Sequence, residues 1–257
     1  MKYKNILIIA FGAFCFLVLA SFDFAYIKGE SKNEIQLVAS SSKDTYLLGE
    51  VIPLVVEVNN LTGKEIVLTD TLDPIYGSLK LYVSNENKTI EYQYMNPKSG
   101  ILDVSGFIKI KAGEKRSNSV QVLAKLRSYN QAEYFFDSAG TYYLQASYQI
   151  QLIGQTKPIE IKSEPIKITI NEPKGEDLEV WNKIKDNGDF AYFIQEGEIL
   201  IPIYKTEERA KFQQEVEQIL IDYPNSFYAT SLRQSLDKFK ASEAKRLEFQ
   251  EKMKAKP

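Results

Sequence analysis

Tyr142, Leu144, Ala146, Tyr148 and Ile150 alternate with Tyr143, Gln145, Ser147 and Gln149. A period of two buries one face of a strand and leaves the other in water; a helix cannot sort these residues that way. The pattern recurs through residues 34–171. Leu54, Val56 and Val58 alternate with Val55, Glu57 and Asn59, and Leu79, Leu81 and Val83 with Lys80, Tyr82 and Ser84. Ile90, Tyr92 and Tyr94 alternate with Glu91 and Gln93, and Ile166, Ile168 and Ile170 with Lys167 and Thr169. Turns such as Leu48-Gly49-Glu50, Asn59-Asn60, Thr62-Gly63-Lys64, Ala112-Gly113-Glu114 and Ala139-Gly140 punctuate the runs. Short strands separated by such turns imply an antiparallel sandwich and argue against a βαβ arrangement.

The period changes to about 3.6 after Asn171-Glu172-Pro173-Lys174-Gly175, where proline and glycine interrupt the chain. Residues 176–187 read as a helix with Leu178, Trp181 and Ile184 on one face, stopped by Gly188. Asp189 is placed to cap a second short helix that Gly197 ends. Pro202 makes residues 199–204 an extended connector. Thr206 is placed to cap a long helix with Phe212, Val216, Ile219 and Leu220 as its buried stripe. After Tyr223-Pro224-Asn225, Ser226 caps a last helix, whose facing stripe is Tyr228, Leu232, Leu236 and Phe239. The Lys/Glu-rich remainder reads as a solvated helical tail.

Composition removes whole classes of chemistry. The 257 residues include no histidine and one cysteine. Mechanisms that need an imidazole are therefore excluded. The cysteine, Cys15, lies in the uncharged run 6–20, which follows a start carrying Lys2 and Lys4. This is the pattern of a secretory signal peptide, cleaved after Ala20, with an uncleaved membrane anchor as the alternative. The mature chain then has no thiol. A formal net charge of −2 offers no basic surplus for nucleic acid.

Two stretches carry family resemblances. Asp44-Thr45-Tyr46-Leu47-Leu48-Gly49-Glu50-Val51-Ile52-Pro53-Leu54 resembles the "Y-x-x-G-E-x-I-x-L" opening of exported bacterial Ig-like domains, with Gly49 in the turn. Asp137-Ser138-Ala139-Gly140-Thr141-Tyr142 resembles the tyrosine corner of Ig-like domains, in which a tyrosine bonds back to nearby backbone. That resemblance implies Tyr142 as the corner residue and Gly140 as the residue that permits the turn. It is similar to macroglobulin-type and adhesion-type modules alike. Near the C-terminus, "DYPNSFYATSLRQSL" resembles the inter-helix turn of tetratricopeptide-like repeats in envelope proteins. One hairpin is visible where a solenoid needs about three repeats, which implies a small helical domain.

Candidate sites follow from exposed aromatics and paired acids. Tyr82 and Tyr143 point opposite to the apolar set of their strands and are candidate ligand-binding residues for a sugar ring or a protein partner; cross-strand packing on the solvent face is the structural alternative. Tyr92 and Tyr94 share the face of Ile90 and are expected in the core. The acidic pairs Asp70 with Asp73, Glu133 with Asp137, and Glu196 with Glu198 could serve a hydrolase that needs no histidine, though all lie in turn-like contexts where acids cap and solvate. The loop Asp70-Thr71-Leu72-Asp73 lacks the ligand spacing of an EF-hand. Asn60-Leu61-Thr62 and Asn87-Lys88-Thr89 match the glycosylation pattern. The row Gln145, Ser147, Gln149, Gln151 would pair with a partner strand only at a sheet edge.

The expectation is a β + α chain of two domains: an Ig-like antiparallel β-sandwich, then a small all-α domain. Residues 1–20 are the signal peptide or anchor, 21–33 a linker, 34–171 the sandwich, 172–176 a linker, 177–240 the helical domain and 241–257 the charged tail. The expected function is a non-enzymatic bacterial envelope or periplasmic protein that binds another protein. A carbohydrate-binding accessory module and a carboxylate-dependent hydrolase are the alternatives. No catalytic residue, metal or cofactor is expected. The partner is an envelope protein, with a glycan as second candidate; nucleic acid is not expected, and membrane is reached only through an uncleaved N-terminal segment.

Overall fold

A computed structural model describes residues 35–68, 72–94, 108–128, 131–150 and 157–254. The expected signal peptide and first linker, together with Asp70, Thr71 and Gln151, lie outside the described residues. Among the described residues, thirteen strands precede four helices. β1 (Ile35–Ser41), β3 (Ile52–Asn60) and β8 (Lys115–Val122) form an antiparallel sheet in the order β1-β3-β8. A larger sheet runs β2-β13-β11-β5-β6: Thr45–Leu47, Ile166–Asn171, Gly140–Ile150, Leu79–Ser84 and Thr89–Glu91. β12 (Ile159–Lys162) also pairs with β11, and the β13–β2 pairing is parallel. Two ribbons complete the strands: β4 (Ile66–Leu68) with β7 (Ile108–Ile110), and β9 (Ala124–Ser128) with β10 (Gln131–Tyr134).

The alternation reads out directly. Tyr142, Leu144, Ala146, Tyr148 and Ile150 of β11 are buried, as are Leu79, Leu81 and Val83 of β5 and Leu54, Val56 and Val58 of β3. β11 pairs on both sides, so its polar row is not an edge. β1 lies against β11, β12 and β13, which brings the buried faces of both sheets to one core.

The helices continue that core. Residues Asn33–Pro257 make one compact unit, and its apolar cluster runs from Leu37 to Phe239. α1 (Glu176–Ile184) ends before Asn187 and buries Val180, Trp181 and Ile184, while Leu178, expected on the buried face, is exposed. Trp181 and Ile184 are buried as expected and Val180 takes the place of Leu178, which at about 100° per residue rotates the stripe by about 50°. α2 (Gly188–Glu196) begins at the glycine expected to stop α1, and its cap is Asn187, whose Oδ1 accepts from Asp189 N at 3.0 Å. Asp189 sits inside the first turn. A Cβ at residue 188 would overlap the Ala132 carbonyl, so glycine lets the helix start against β10.

Six consecutive residues of α2, Phe190 to Gln195, are buried. A helix buried all round is a core element, and α2 lies between the β9–β10 ribbon and α1 and α4. α3 (Thr206–Asp222) has no side-chain cap; Thr206 is its first helical residue. Phe212, Val216 and Ile219 are buried, facing Tyr228, Leu232, Leu236 and Phe239 of α4 (Phe227–Lys254). Phe212 lies 4.8 Å from Phe190 and 5.4 Å from Phe193, ring to ring. Such pairs each add roughly 0.5–1.5 kcal/mol beyond area burial. Among the described residues no helix is long and apolar enough to cross a membrane.

Candidate functional site

The turn Asp137-Ser138-Ala139-Gly140 delivers Tyr142 to the core face of β11. Its phenol Oη donates to the Ser138 carbonyl at 2.9 Å and lies 3.1 Å from Ser138 Oγ. Gly140 has φ 155. The ring of Tyr142 meets Phe136 edge to face at 4.9 Å. Phe136 meets Phe135 at 5.1 Å, and Phe135 meets Tyr92 at 5.1 Å. Tyr142, Phe136 and Phe135 thus begin a relay of perpendicular rings that crosses from β11 to Tyr92 at the strand-to-helix joint.

At its far end the relay is closed by a polar plug. Tyr92 Oη donates to the Ala124 carbonyl at 2.6 Å and sits 3.2 Å from Gln195 Oε1. The same Oε1 accepts from Leu123 N at 3.0 Å and Ala124 N at 2.8 Å. These two amides lie where β8 gives way to β9, so a side chain of α2 stands in for the missing strand partner. Gln195 Nε2 donates to Glu196 Oε1, which also accepts from Tyr94 Oη at 3.2 Å. Burial, above all, pushes the Tyr92 and Tyr94 phenols up; beside Tyr94 the Glu196 carboxylate adds to the rise.

A second joint is aromatic. Gly49, at φ 76 in the β2–β3 turn, lies under the Trp181 ring; a Cβ there would stand 2.8 Å from Cε3 of that ring and 3.3 Å from Tyr228. Trp181 stacks on Tyr228 at 6.2 Å, meets Tyr134 edge to face at 4.8 Å, and the Tyr228 hydroxyl donates to the Leu48 carbonyl. Asp177 of α1 caps α4, accepting from Phe227 N at 2.6 Å and Ser226 Oγ at 2.8 Å. Ser226 also accepts weakly from Tyr228 N at 3.3 Å.

Beside the Tyr142 end of the relay lies a cleft of about 260 Å³. Val83, Ile90 and Tyr142 form one wall, Phe135 and Phe136 the other, with Lys88 and Lys125 at the rim. Lys125 pairs with Glu133 at 2.9 Å and lies 5.6 Å over the Phe135 ring. Asp137, on the same rim, accepts from Ser138 Oγ at 3.0 Å.

The other expected site residues are placed as follows. Tyr143 of β11 is opposite Ser84 and Tyr82 of β5 is opposite Gln145, so the two tyrosines are diagonal neighbours on the outer face of the large sheet. Tyr143 is 40% exposed and Tyr82 half-buried. They are not part of the cleft. Tyr92 is buried as expected, whereas Tyr94 is half-buried and Ile90 is 39% exposed. Asp73 caps a short 3-10 turn, accepting from Ile75 N at 3.0 Å. No group of three or more His, Cys, Asp or Glu converges among the described residues. Asn60 is fully buried; its Nδ2 donates to the Lys64, Ile110 and Lys111 carbonyls and its Oδ1 accepts from Thr62. It pins two turns, and its amide is held inside them. Asn87 is exposed on the β5–β6 turn.

Gln195 and the cleft were not singled out from the sequence. The available signal for Gln195 was a lone polar residue ending the apolar run Phe190-Ala191-Tyr192-Phe193-Ile194, since a polar group there must be satisfied internally.

No family model matches the sequence, and no curated protein matches it. Among solved structures, a β-glucosidase from Erythrobacter marinus aligns with 54% of this chain at 12% identity and TM-score 0.28. The chain spans 16% of that enzyme's length. A CARDB domain of the PF1109 protein from Pyrococcus furiosus, solved with di-metal ions, aligns over 55% of this chain and 90% of its own at 9% identity and TM-score 0.28. The sporulation control protein Spo0M from Bacillus subtilis aligns over 58% of this chain and 53% of its own at 12% identity and TM-score 0.29. Likenesses at this level fix neither a family nor an activity for this chain.

Proposed function

We propose that the chain is an exported, non-enzymatic protein of the bacterial cell envelope that binds another protein, its strands forming an Ig-like β-sandwich and its helices a small domain docked on that sandwich. The observation that carries the reading is how the aromatic side chains are used. Tyr92, Tyr134, Tyr142, Trp181 and Tyr228 serve interior joints, and the acids beside them cap backbone or neutralise lysine. What remains in water is a set of large apolar side chains: Ile90 at the cleft, Ile203 and Tyr204 between α2 and α3, and Leu247, Phe249 and Met253 on α4. Ile203 and Tyr204 are adjacent, and Phe249 and Met253 are one turn apart on α4, spacings that suit the apolar patches of interaction surfaces. The Tyr142 bond to Ser138 supports the Ig-like part of the reading. Export rests on the N-terminal sequence.

The test is a photo-cross-linking residue placed in the full chain, in its native cells, at Ile90, Tyr204 or Leu247. The expected result is a covalent adduct with a second protein from at least one position. Adducts at none of them, together with substrate turnover that an Asp or Glu substitution abolishes, would contradict the proposal.

A second reading has its own observation. Tyr82 and Tyr143 stand as diagonal neighbours on the outer sheet face, a geometry that suits stacking on a sugar. Glycan-array binding lost in Tyr82→Ala or Tyr143→Ala would establish a carbohydrate-binding module, and silence across a broad array would remove it.

A further inference from the structure

Among the described residues the large sheet ends at β6. Its registers place core-facing side chains in rows across the strands. One row, Ala146 and Leu81, continues to Tyr92, which is buried beneath Gln195. The next, Ile166, Leu144, Val83 and Ile90, crosses four strands and stops at Ile90, 39% exposed beside the cleft. At the rim, Tyr142 is followed by Asn85 and Lys88 of the β5–β6 turn. The apolar row thus ends one side chain short, and the cleft occupies the place where that side chain would stand.

The backbone of β6 is open in the same direction. Tyr92 N donates to the Leu81 carbonyl and Asn85 N to the Lys88 carbonyl, which makes Leu81/Tyr92 and Asn85/Lys88 hydrogen-bonded pairs. By the alternation of an antiparallel ladder, the N–H and C=O of Thr89 and Glu91 then face away from β5. β6 is the last strand in the order of the sheet among the described residues; three residues on, Tyr94 makes an antiparallel bridge to Lys125 of β9, so the open stretch is Thr89 to Glu91 alone. A three-residue edge beside a lysine is one way proteins keep an edge from pairing at random. What sets this edge apart is the apolar row left open at Ile90.

We infer that the β6 edge and its cleft receive an extended segment of a partner protein, which adds one strand to the sheet, places an apolar side chain against Ile90, Phe135 and Phe136, and places an acidic side chain two residues away against Lys88. This rests on the protein-binding reading and names its surface. The cleft, about 260 Å³, falls below the roughly 300–1,000 Å³ of drug-sized ligand pockets, so it has room for one or two side chains. The rim carries Lys88 and Lys125 against Asp137, and Lys125 is already paired with Glu133. Lys88 is the cation that an incoming acid would meet. Main-chain pairing supplies affinity in this mode, and the alternate side chains supply selectivity.

The test selects a phage-displayed random heptapeptide library on the full chain and measures the selected peptide, fluorescently labelled, against variants. Enrichment of an apolar-x-acid alternation is expected. Glu91→Pro removes an outward N–H while sparing the bonds to β5; it and Lys88→Glu should each weaken binding about fivefold to tenfold. Lys167→Ala, on the opposite face, should leave binding unchanged. Unaltered thermal melts of the variants show that folding is kept. No enriched alternation, or binding indifferent to both Glu91→Pro and Lys88→Glu, overturns the inference. Self-association of the chain abolished by Glu91→Pro would assign the edge to a second copy and also overturns it. Cross-linked partners at Leu247 or Tyr204 with none at Ile90 would keep the protein-binding reading and remove this one.

Discussion

The Gln195 joint and the β6 cleft lie at opposite ends of one aromatic relay, and they finish in opposite ways. At the joint, the amides that a strand ending leaves unpaired are taken by a side chain from α2. At the cleft, the apolar row ends half in water and the backbone of Thr89 and Glu91 faces outward. The difference teaches where this chain invests its stability. A buried polar group left without a partner costs about 1–3 kcal/mol, so a joint inside the core must be complete. An edge in water bears no such cost and can stay open for another molecule.

The largest effect that sharpens this contrast belongs to Trp181. Trp181→Ala removes a ring that touches Tyr134, Tyr228 and the Gly49 turn, and should cost about 3–5 kcal/mol in chemical denaturation. Ile90→Ser at the open end should stay within about 0.5 kcal/mol. Comparable losses at the two positions would erase the distinction between joint and edge.

Gln195→Leu comes next. It replaces the amide by an apolar side chain of similar size and leaves the buried amides of Leu123 and Ala124 without their acceptor, for an expected loss of about 2–4 kcal/mol. A stability unchanged in urea titration would show that the joint is closed by something other than this amide.

Alkaline pH probes five of the phenols together. Tyr92, Tyr94, Tyr134, Tyr192 and Tyr228 have raised pKa values, with burial the leading cause in each. Their folded values lie above the ordinary value of 10, so the unfolded chain releases protons first. The stability they contribute is fully present below about pH 10 and is lost as pH climbs towards the folded values, by up to about 1.4 kcal/mol per pH unit for each of Tyr92 and Tyr134. The phenolate absorbance of these five, read as the difference between the chain and its Tyr→Phe variants, should therefore appear only with loss of circular dichroism. Ionisation of any of the five well before unfolding would contradict its placement.

The smallest effect has the opposite sign. The Tyr134 hydroxyl is buried with no hydrogen-bond partner among the described residues, and burial pushes its phenol well up. Tyr134→Phe should stabilise the chain by about 1 kcal/mol, read as a higher Tm. A loss of similar size would mean the hydroxyl is satisfied.

What the sequence made legible was whatever depends on local period. The alternation of β11 and β5, the apolar stripes of α3 and α4, and the Gly49 and Gly197 turns follow from side-chain spacing and backbone freedom. Caps were less legible. Asn187 and Asp189 are both good capping residues, and the choice between them is made by how the chain enters α2 against Ala132. The rotated face of α1 has the same origin: Val180 turns inward, and Leu178 outward, because Tyr134 and Tyr228 fix the Trp181 ring. The cleft could not be read at all. Ile90 and Tyr92 alternate identically in sequence, and which of them is covered depends on which strand ends the sheet and on a glutamine about a hundred residues away.

Residue-resolved amide hydrogen exchange on the full chain tests the central contrast most directly. Leu123 and Ala124 should exchange only through global unfolding, while Thr89 and Glu91 exchange orders of magnitude faster. Equal protection at the two places would mean that the β6 edge is already covered, and the open end of the molecule would not exist.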